Sequence, residues 1–234
     1  MLEPARRSRA ALALALSAPA PTVGALCAYV WLPGAVGQSI YMLLRLWIAL
    51  FPLLWWLRIE RRAPSGSLLD PRWRREALVG SLLLSGVVLS VVYGGWSLFG
   101  ERLLDPVALR QTVETSGIGT PAKFLMAGVA ISFGNSLVEE FFWRWFVGTR
   151  AELLVGSRWA APLSAALFTS HHVVSFCVLF GPAAGLAASA GVFLAGLVWS
   201  LLYQRWRSIW PGWCIHVVAD LAGLSLGWHV LFGG

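Results

Sequence analysis

Two adjacent carboxylates, Glu139 and Glu140, stand inside the apolar stretch AKFLMAGVAISFGNSLVEEFFWRWFV, and Arg144 follows one helical turn after Glu140. A charged side chain at membrane depth costs roughly 2.5–3.5 kcal/mol on insertion scales, so such a pair is a functional hypothesis once partners can be named. Partners exist in two later apolar stretches: His171, His172, His216 and Asp220. A carboxylate in a hydrated pocket can act as general base on a water. Imidazoles beside it can hold that water or stabilise an oxyanion. Glutamate with two histidines also suits a divalent metal such as zinc. Metal-dependent and metal-free hydrolysis draw on the same residue types, and spacing does not separate them.

Each element also has a plain structural reading. Glu140 and Arg144 are at i and i+4, on one helix face, and can form an ion pair with no chemistry attached. Glu139 lies about 100° around the helix from Glu140 and can accept a bond from a neighbouring helix. His171 and His172 point in different directions, so one serves a given site and the other suits a helix–helix hydrogen bond. His216 and Asp220 are again at i and i+4. That carboxylate either fixes the imidazole tautomer or faces a separate polar contact.

The elements that must position these groups are membrane helices. The chain has 234 residues, 58% hydrophobic and only 12% charged, where soluble domains carry about 25% charged. Windows of about 20 apolar residues, the length needed to span the hydrocarbon core, fall at roughly 10–31, 39–57, 77–99, 122–147, 159–180, 183–204 and 209–232. The expected fold is an all-α polytopic bundle of seven transmembrane helices forming one integral-membrane domain over residues 1–234. Fourteen Trp and twelve Phe suit aromatic belts at the lipid interface.

The net charge of +7 comes from 18 Lys and Arg, of which only Lys123 is a lysine. These cations cluster in short connectors, so topology explains them and nucleic-acid binding is excluded as a reading. Arg6, Arg7 and Arg9 precede the first span, and Arg58, Arg61, Arg62, Arg72, Arg74 and Arg75 follow the second. Arg150 and Arg158 follow the fourth, and Arg205 and Arg207 follow the sixth. The intervening connectors are uncharged or mixed. This alternation predicts an N-inside, C-outside orientation. With a rise of about 1.5 Å per residue, Glu139 and Glu140 lie about 10 Å from the inner end of their span, His216 about 10 Å, Asp220 about 16 Å and His172 about 20 Å.

Three motifs share order and spacing with a known family. Glu139-Glu140-Phe-Phe-Trp-Arg144 fits EExxxR, Phe168-Thr-Ser-His171-His172 fits FxxxH, and His216-Val-Val-Ala-Asp220 fits HxxxN/D. Together, in successive apolar helices, they resemble the CPBP family of type II CAAX prenyl endopeptidases and bacteriocin-processing or self-immunity membrane proteases. The resemblance covers residues 122–221, the expected catalytic core helices. It implies that Glu139 activates water, that Glu140 and Arg144 support the helix and pocket, and that His172, matching FxxxH with Phe168, holds water or stabilises the oxyanion. His216 and Asp220 then complete the pocket, with His171 and Phe168 in support. Asp220 stands where the prenyl-protein proteases often carry Asn, and Asp donates a hydrogen bond only when protonated. The family has been described both as metalloproteases and as glutamate-dependent proteases.

The function expected is therefore intramembrane endopeptidase activity on a membrane protein or lipid-associated peptide, in a bacterial inner membrane. Two readings compete: a non-catalytic binding or immunity protein whose Glu, Arg and His set is structural, and an ion-coupled transporter, against which stands the lack of a visible inverted repeat. Among the remaining polar residues, Arg45 either snorkels to the outer interface or pairs with another span. Asn135 suits a bundle hydrogen bond or the pocket rim, His229 is interfacial, and an interfacial helix is expected around Pro71–Glu76. Cys27, Cys177 and Cys214 read as small apolar residues. The N-terminus resembles a signal peptide, but its apolar run continues past Pro19 and Pro21, which favours an uncleaved first helix.

Overall fold

The computed structural model describes residues 2–60 and 75–233. Seven apolar helices long enough to cross a membrane occupy them: Pro4–Trp31, Ala35–Glu60, Arg75–Gly100, Pro121–Val155, Ser157–Phe180, Pro182–Trp206 and Trp210–Phe232. The shortest has 23 residues and extends about 34 Å, enough for a hydrocarbon core of about 30 Å. No strand occurs among the described residues. In lipid only helices or closed barrels satisfy every backbone polar group, and this chain takes the helical solution. It is an integral-membrane, all-helical polytopic bundle.

The spans agree with the expected windows in number and order, but several ends differ. The fourth helix continues eight residues past Val147 to Val155, because Leu153, Leu154 and Val155 keep the stretch apolar until Gly156 turns it. Gly156 alone links the fourth and fifth spans, with φ 78° and ψ 161°. Gly181 alone links the fifth and sixth, with φ 79° and ψ 163°. Both conformations favour glycine, which has no Cβ to clash. The connector after the third span contains a helix, Pro106–Thr115. Its start carries a capping signal: Asp105 Oδ1 accepts from the backbone N–H of Val107 at 2.8 Å and of Ala108 at 3.2 Å, with Pro106 in the first turn. Most of the interfacial helix expected around Pro71–Glu76 lies outside the described residues. Arg75 and Glu76 begin the third span.

The fourth span is the hub. Its Glu140–Gly148 stretch packs against the second, fifth and sixth spans, and its earlier part packs against the seventh. The fifth and sixth spans form a close antiparallel hairpin, and the third span lies along the seventh. The first span packs on the second and the fifth, so the N-terminal helix is part of the bundle. At the centre is an aromatic cluster including Phe51, Trp55, Phe142, Trp143, Phe146, Phe168, Trp199 and Tyr203. Lipid tails are as apolar as these rings, so helix association rests on close packing, which small residues permit. Gly196 is one such residue, since a Cβ there would sit 2.9 Å from the Phe168 ring. Leu82, Leu83, Met42 and Leu43 on the second and third spans are 60–67% exposed, as lipid-facing residues should be.

The basic end of the bundle is cross-tied. Arg150 is buried against Glu60 and donates to the Phe146 carbonyl at 3.0 Å. Arg207 pairs with Glu152 at 2.8 Å, Arg7 donates to the Leu154 carbonyl at 2.9 Å, and Gln204 donates to the Ser157 carbonyl at 2.9 Å. Arg150, expected as a connector charge, is thus buried, with Glu60 as its ion-pair partner. At the opposite end the Pro106–Thr115 helix rests on the fifth and seventh spans, where Arg110 donates to the Leu231 carbonyl. The three cysteines are free, with Cys27 buried.

Candidate active site

The fourth span is not a uniform α-helix. Two π-helical stretches, Ala130–Asn135 and Glu140–Gly148, flank a single α-turn, Ser136–Glu139. Such widened turns displace backbone carbonyls from their usual partners and are frequent at functional sites. Here Ser164 of the fifth span donates to the Trp143 carbonyl at 2.8 Å. Glu139 therefore ends the α-turn and Glu140 opens the wider π stretch. The two carboxylates enter different surroundings.

Glu140 is fully buried and its oxygens are engaged. Oε2 accepts from Arg144 Nε at 3.2 Å, and Oε1 lies 3.1 Å from His216 Nδ1 on the seventh span. Arg144 also donates to Ser200 Oγ of the sixth span at 3.2 Å. Its guanidinium lies 4.7 Å from the Phe168 ring centre and 5.6 Å from that of Trp199, close enough for cation–π attraction. The His216 ring stacks on Trp199, with centroids 4.3 Å apart and planes 20° apart. Gly212 makes room for this arrangement: a Cβ at that position would sit 2.7 Å from Glu140 Oε2. Glu140 and Arg144 together thus tie the fourth, sixth and seventh spans. With Glu140 ionised, Nδ1 of His216 is the donor, which turns Nε2 toward the middle of the site.

Glu139 has a looser environment. Its Oε1 is 3.8 Å from His171 Nε2 and 3.8 Å from Arg45 Nη2, and its Oε2 is 3.7 Å from His216 Nε2. None of these is a direct hydrogen bond, yet all are spacings at which one water can touch both partners. His216 Nε2 is also 3.8 Å from Asp220 Oδ1. His172 lies beside His171, with ring centroids 4.1 Å apart, and interacts electrostatically with Glu139. His172 Nδ1 is 3.1 Å from the Phe168 carbonyl. A carbonyl can only accept, so Nδ1 carries the proton and a neutral His172 keeps its Nε2 lone pair free.

Residues 121–222 match the family model described as type II CAAX prenyl endopeptidase Rce1-like. That segment belongs to the Rce1-like family. Neither the curated proteins nor the solved structures provide a match. The matched segment contains all three motifs, and the family it resembles is one of membrane proteases, which act on a peptide or protein substrate.

Within the Rce1-like segment the structure gathers Glu139, Glu140, Arg144, Phe168, His171, His172, His216 and Asp220 around one point, from the fourth, fifth and seventh spans. Three expectations are sharpened. His171, expected as a supporting residue, brings its Nε2 to 3.8 Å from Glu139 Oε1, while His172 is anchored by its own helix. The carboxylate that orients His216 is Glu140, 76 residues away, and not the i+4 neighbour Asp220. Arg45 pairs with another span, taking the second of its two expected alternatives. On the turn that carries Asn135, the Phe133 carbonyl accepts from Trp213 Nε1 of the seventh span at 3.2 Å.

Among the described residues no group of three or more His, Cys, Asp and Glu is already arranged as a metal site, the set Glu139, His172 and His216 included, and no step below is routed through a metal. Sequence reasoning missed Arg45 as a member of the site. Its only signal was a lone arginine within an apolar window.

Proposed function

We propose that the chain is an intramembrane endopeptidase in which Glu139 activates water to hydrolyse a peptide bond of a membrane-associated protein or peptide. The observation that carries this reading is the contrast between the two carboxylates. Glu140 is consumed by Arg144 and His216, whereas Glu139 faces three nitrogen groups from three other spans at 3.7–3.8 Å. One acid is built into the frame and its neighbour is left with oxygens for a small molecule.

In the proposed reaction a water between Glu139 and the His171, His172 and His216 rings loses a proton to Glu139. Its oxygen bonds to the scissile carbonyl carbon, forming a tetrahedral oxyanion. The free Nε2 lone pair of a neutral His172 accepts a hydrogen bond from the water and aligns it. Collapse breaks the C–N bond, and the proton held by Glu139 passes to the leaving amine. Both atoms of the water's O–H are thereby accounted for, with the hydroxyl on the new carboxyl and the proton on the new amine. Placing these groups on packed helices supplies the orientation such a step requires. His216 and Asp220 close the pocket from the seventh span.

The chain is placed with its basic end at the cytoplasmic face of a bacterial inner membrane, on the strength of the alternation of arginine-rich connectors. Residues 122–221 act as the catalytic core of one domain spanning residues 1–234. The substrate is a membrane-associated protein or peptide, and the farnesylated and unmodified peptides below separate a prenyl-dependent from a prenyl-independent enzyme.

The test uses the full-length chain purified in detergent and a panel of internally quenched apolar peptides, with and without a farnesyl group. Glu139→Ala and His172→Ala are expected to lower kcat by about two to four orders of magnitude, the range for loss of a general base or its partner. Unchanged cleavage by both variants would overturn the assignment and favour a structural role for the whole set.

A further inference from the structure

Arg45 lies outside the matched segment, in the second span, yet its Nη2 stands 3.8 Å from Glu139 Oε1. Its Nη1 donates to Tyr41 Oη one turn earlier, and its guanidinium carbon is 5.2 Å from the centre of the Tyr41 ring. Tyr41 is itself held. A Cβ on Gly24 of the first span would lie 3.1 Å from Tyr41 Cδ2 and 3.4 Å from its Cα, so the two helices meet closely there. Tyr29 packs on Tyr41 with ring centroids 6.0 Å apart. The first span is pinned to the fifth by the Thr22 and Ser170 hydroxyls, 2.6 Å apart, one residue before His171. A continuous set of contacts therefore runs from the first span through Tyr41 and Arg45 to the carboxylate at the centre of the site.

The nitrogen-bearing neighbours of Glu139 differ in how they are held. His216 is stacked on Trp199 and bonded to Glu140, and His171 stacks on Trp143 with centroids 6.0 Å apart and planes 7° apart. Arg45 reaches Glu139 from a span that the His-bearing helices do not include, and its side chain is 29% exposed against 6% for Glu139. A guanidinium is a rigid planar fork with five N–H donors, so bonding one arm to Tyr41 sets the direction of the other.

We propose that Arg45, steadied by Tyr41, is a positioning residue for Glu139: it holds the carboxylate aimed at the water, and the first two spans therefore complete the site. This rests on the reading of Glu139 as the general base. It predicts that the segment 121–222 lacks one of the parts that orient its own catalytic carboxylate.

The experiment compares Arg45→Gln, Arg45→Lys and Tyr41→Phe with wild type and Glu139→Gln, all as full-length chains in detergent, on the same peptide panel. Arg45→Gln is expected to lower kcat by about 10–100-fold, the scale of a misplaced reacting group, with KM changed by less than about twofold. Arg45→Lys should recover part of that loss, and Tyr41→Phe should lose less than Arg45→Gln. In parallel, thermal unfolding of Arg45→Gln, Glu139→Gln and the double variant forms a cycle that needs no substrate. Non-additive melting shifts are expected, because contacting charges couple where distant ones add. Unchanged kcat in Arg45→Gln, a loss confined to KM, or additive melting shifts would overturn the proposal. Full cleavage by Glu139→Gln would instead overturn the general-base reading beneath it. If wild type cleaves no peptide in the panel, the melting cycle decides alone.

Discussion

Replacing Gly212 with alanine tests the frame built around Glu140, with a sign opposite to helix propensity. In an unobstructed helix interior the change gains about 0.8–1.0 kcal/mol. Here the new Cβ would sit 2.7 Å from Glu140 Oε2, 3.5 Å from its Cδ and 3.6 Å from Trp199 Cβ. An ordinary contact needs about 3.4 Å or more, so the carboxylate must retreat by about 0.7 Å or the helices must part. A free glutamate would yield at little cost. This one is held by Arg144 on Oε2 at 3.2 Å and by His216 on Oε1 at 3.1 Å, so retreat lengthens at least one buried, charge-assisted bond. Overpacking of this kind costs about 1–3 kcal/mol, and full loss of one partner of a buried pair costs about 3–5 kcal/mol. After the propensity gain of about 1 kcal/mol these costs leave a net destabilisation of about 0–4 kcal/mol, and partial stretching of the held bond puts the expectation near the middle, about 2 kcal/mol. For a chain of this size each kcal/mol moves Tm by about 2–4 °C, so Gly212→Ala should melt about 4–8 °C below wild type. The assay is thermal unfolding in detergent followed by tryptophan fluorescence. Gly223→Ala in the same helix is the control, since a Cβ there meets nothing within 4 Å, and it should melt at or slightly above wild type. A Gly212→Ala variant as stable as that control would refute the reasoning.

Further outcomes follow from the same contacts. Arg144→Leu leaves Glu140 buried beside His216 without its guanidinium and should cost about 3–5 kcal/mol in chemical or thermal unfolding, and adding Glu140→Gln should recover part of that loss. Ser164→Ala removes the donor to the Trp143 carbonyl in the π-helical turn and should cost about 1 kcal/mol, read as a small drop in Tm. His171→Ala should lower kcat by about tenfold or more, since His171 Nε2 faces Glu139. Undiminished cleavage would reduce His171 to packing against Trp143. Arg150→Met leaves the part-exposed Glu60 unpaired and should cost about 1–2 kcal/mol, discounted for the 35% exposure of the glutamate side chain.

Much of the architecture was legible in the chain because membrane insertion imposes one strong rule. Uninterrupted apolar length reports a span, and arginine-rich connectors report its ends. That rule is read locally, so the seven spans and their order followed without knowledge of packing. It fails at helix ends, where apolar residues can extend a helix beyond the expected window, as at Leu153–Val155, and where a connector charge is buried against a partner, as Arg150 is against the part-exposed Glu60. The short Pro106–Thr115 helix had a readable start in Asp105-Pro106, but a charged connector carries no span signal.

The site divides along the same line. The sequence alone determined which ionisable groups sit in apolar helices, the i, i+4 relation of Glu140 to Arg144, and the order and spacing of the three motifs. These are properties of residue type and spacing along one helix. Only the tertiary structure decided that Glu140 orients His216, that His171 stands nearer Glu139 than the motif-matching position suggests, and that Arg45 joins from the second span. Each depends on helix rotation and lateral packing, which are set by contacts such as Gly212 against Glu140 and Gly24 against Tyr41 between residues far apart in the chain. A charge inside a membrane demands a partner, and that much is written in composition. Which partner it finds depends on the faces that the packed helices turn toward one another.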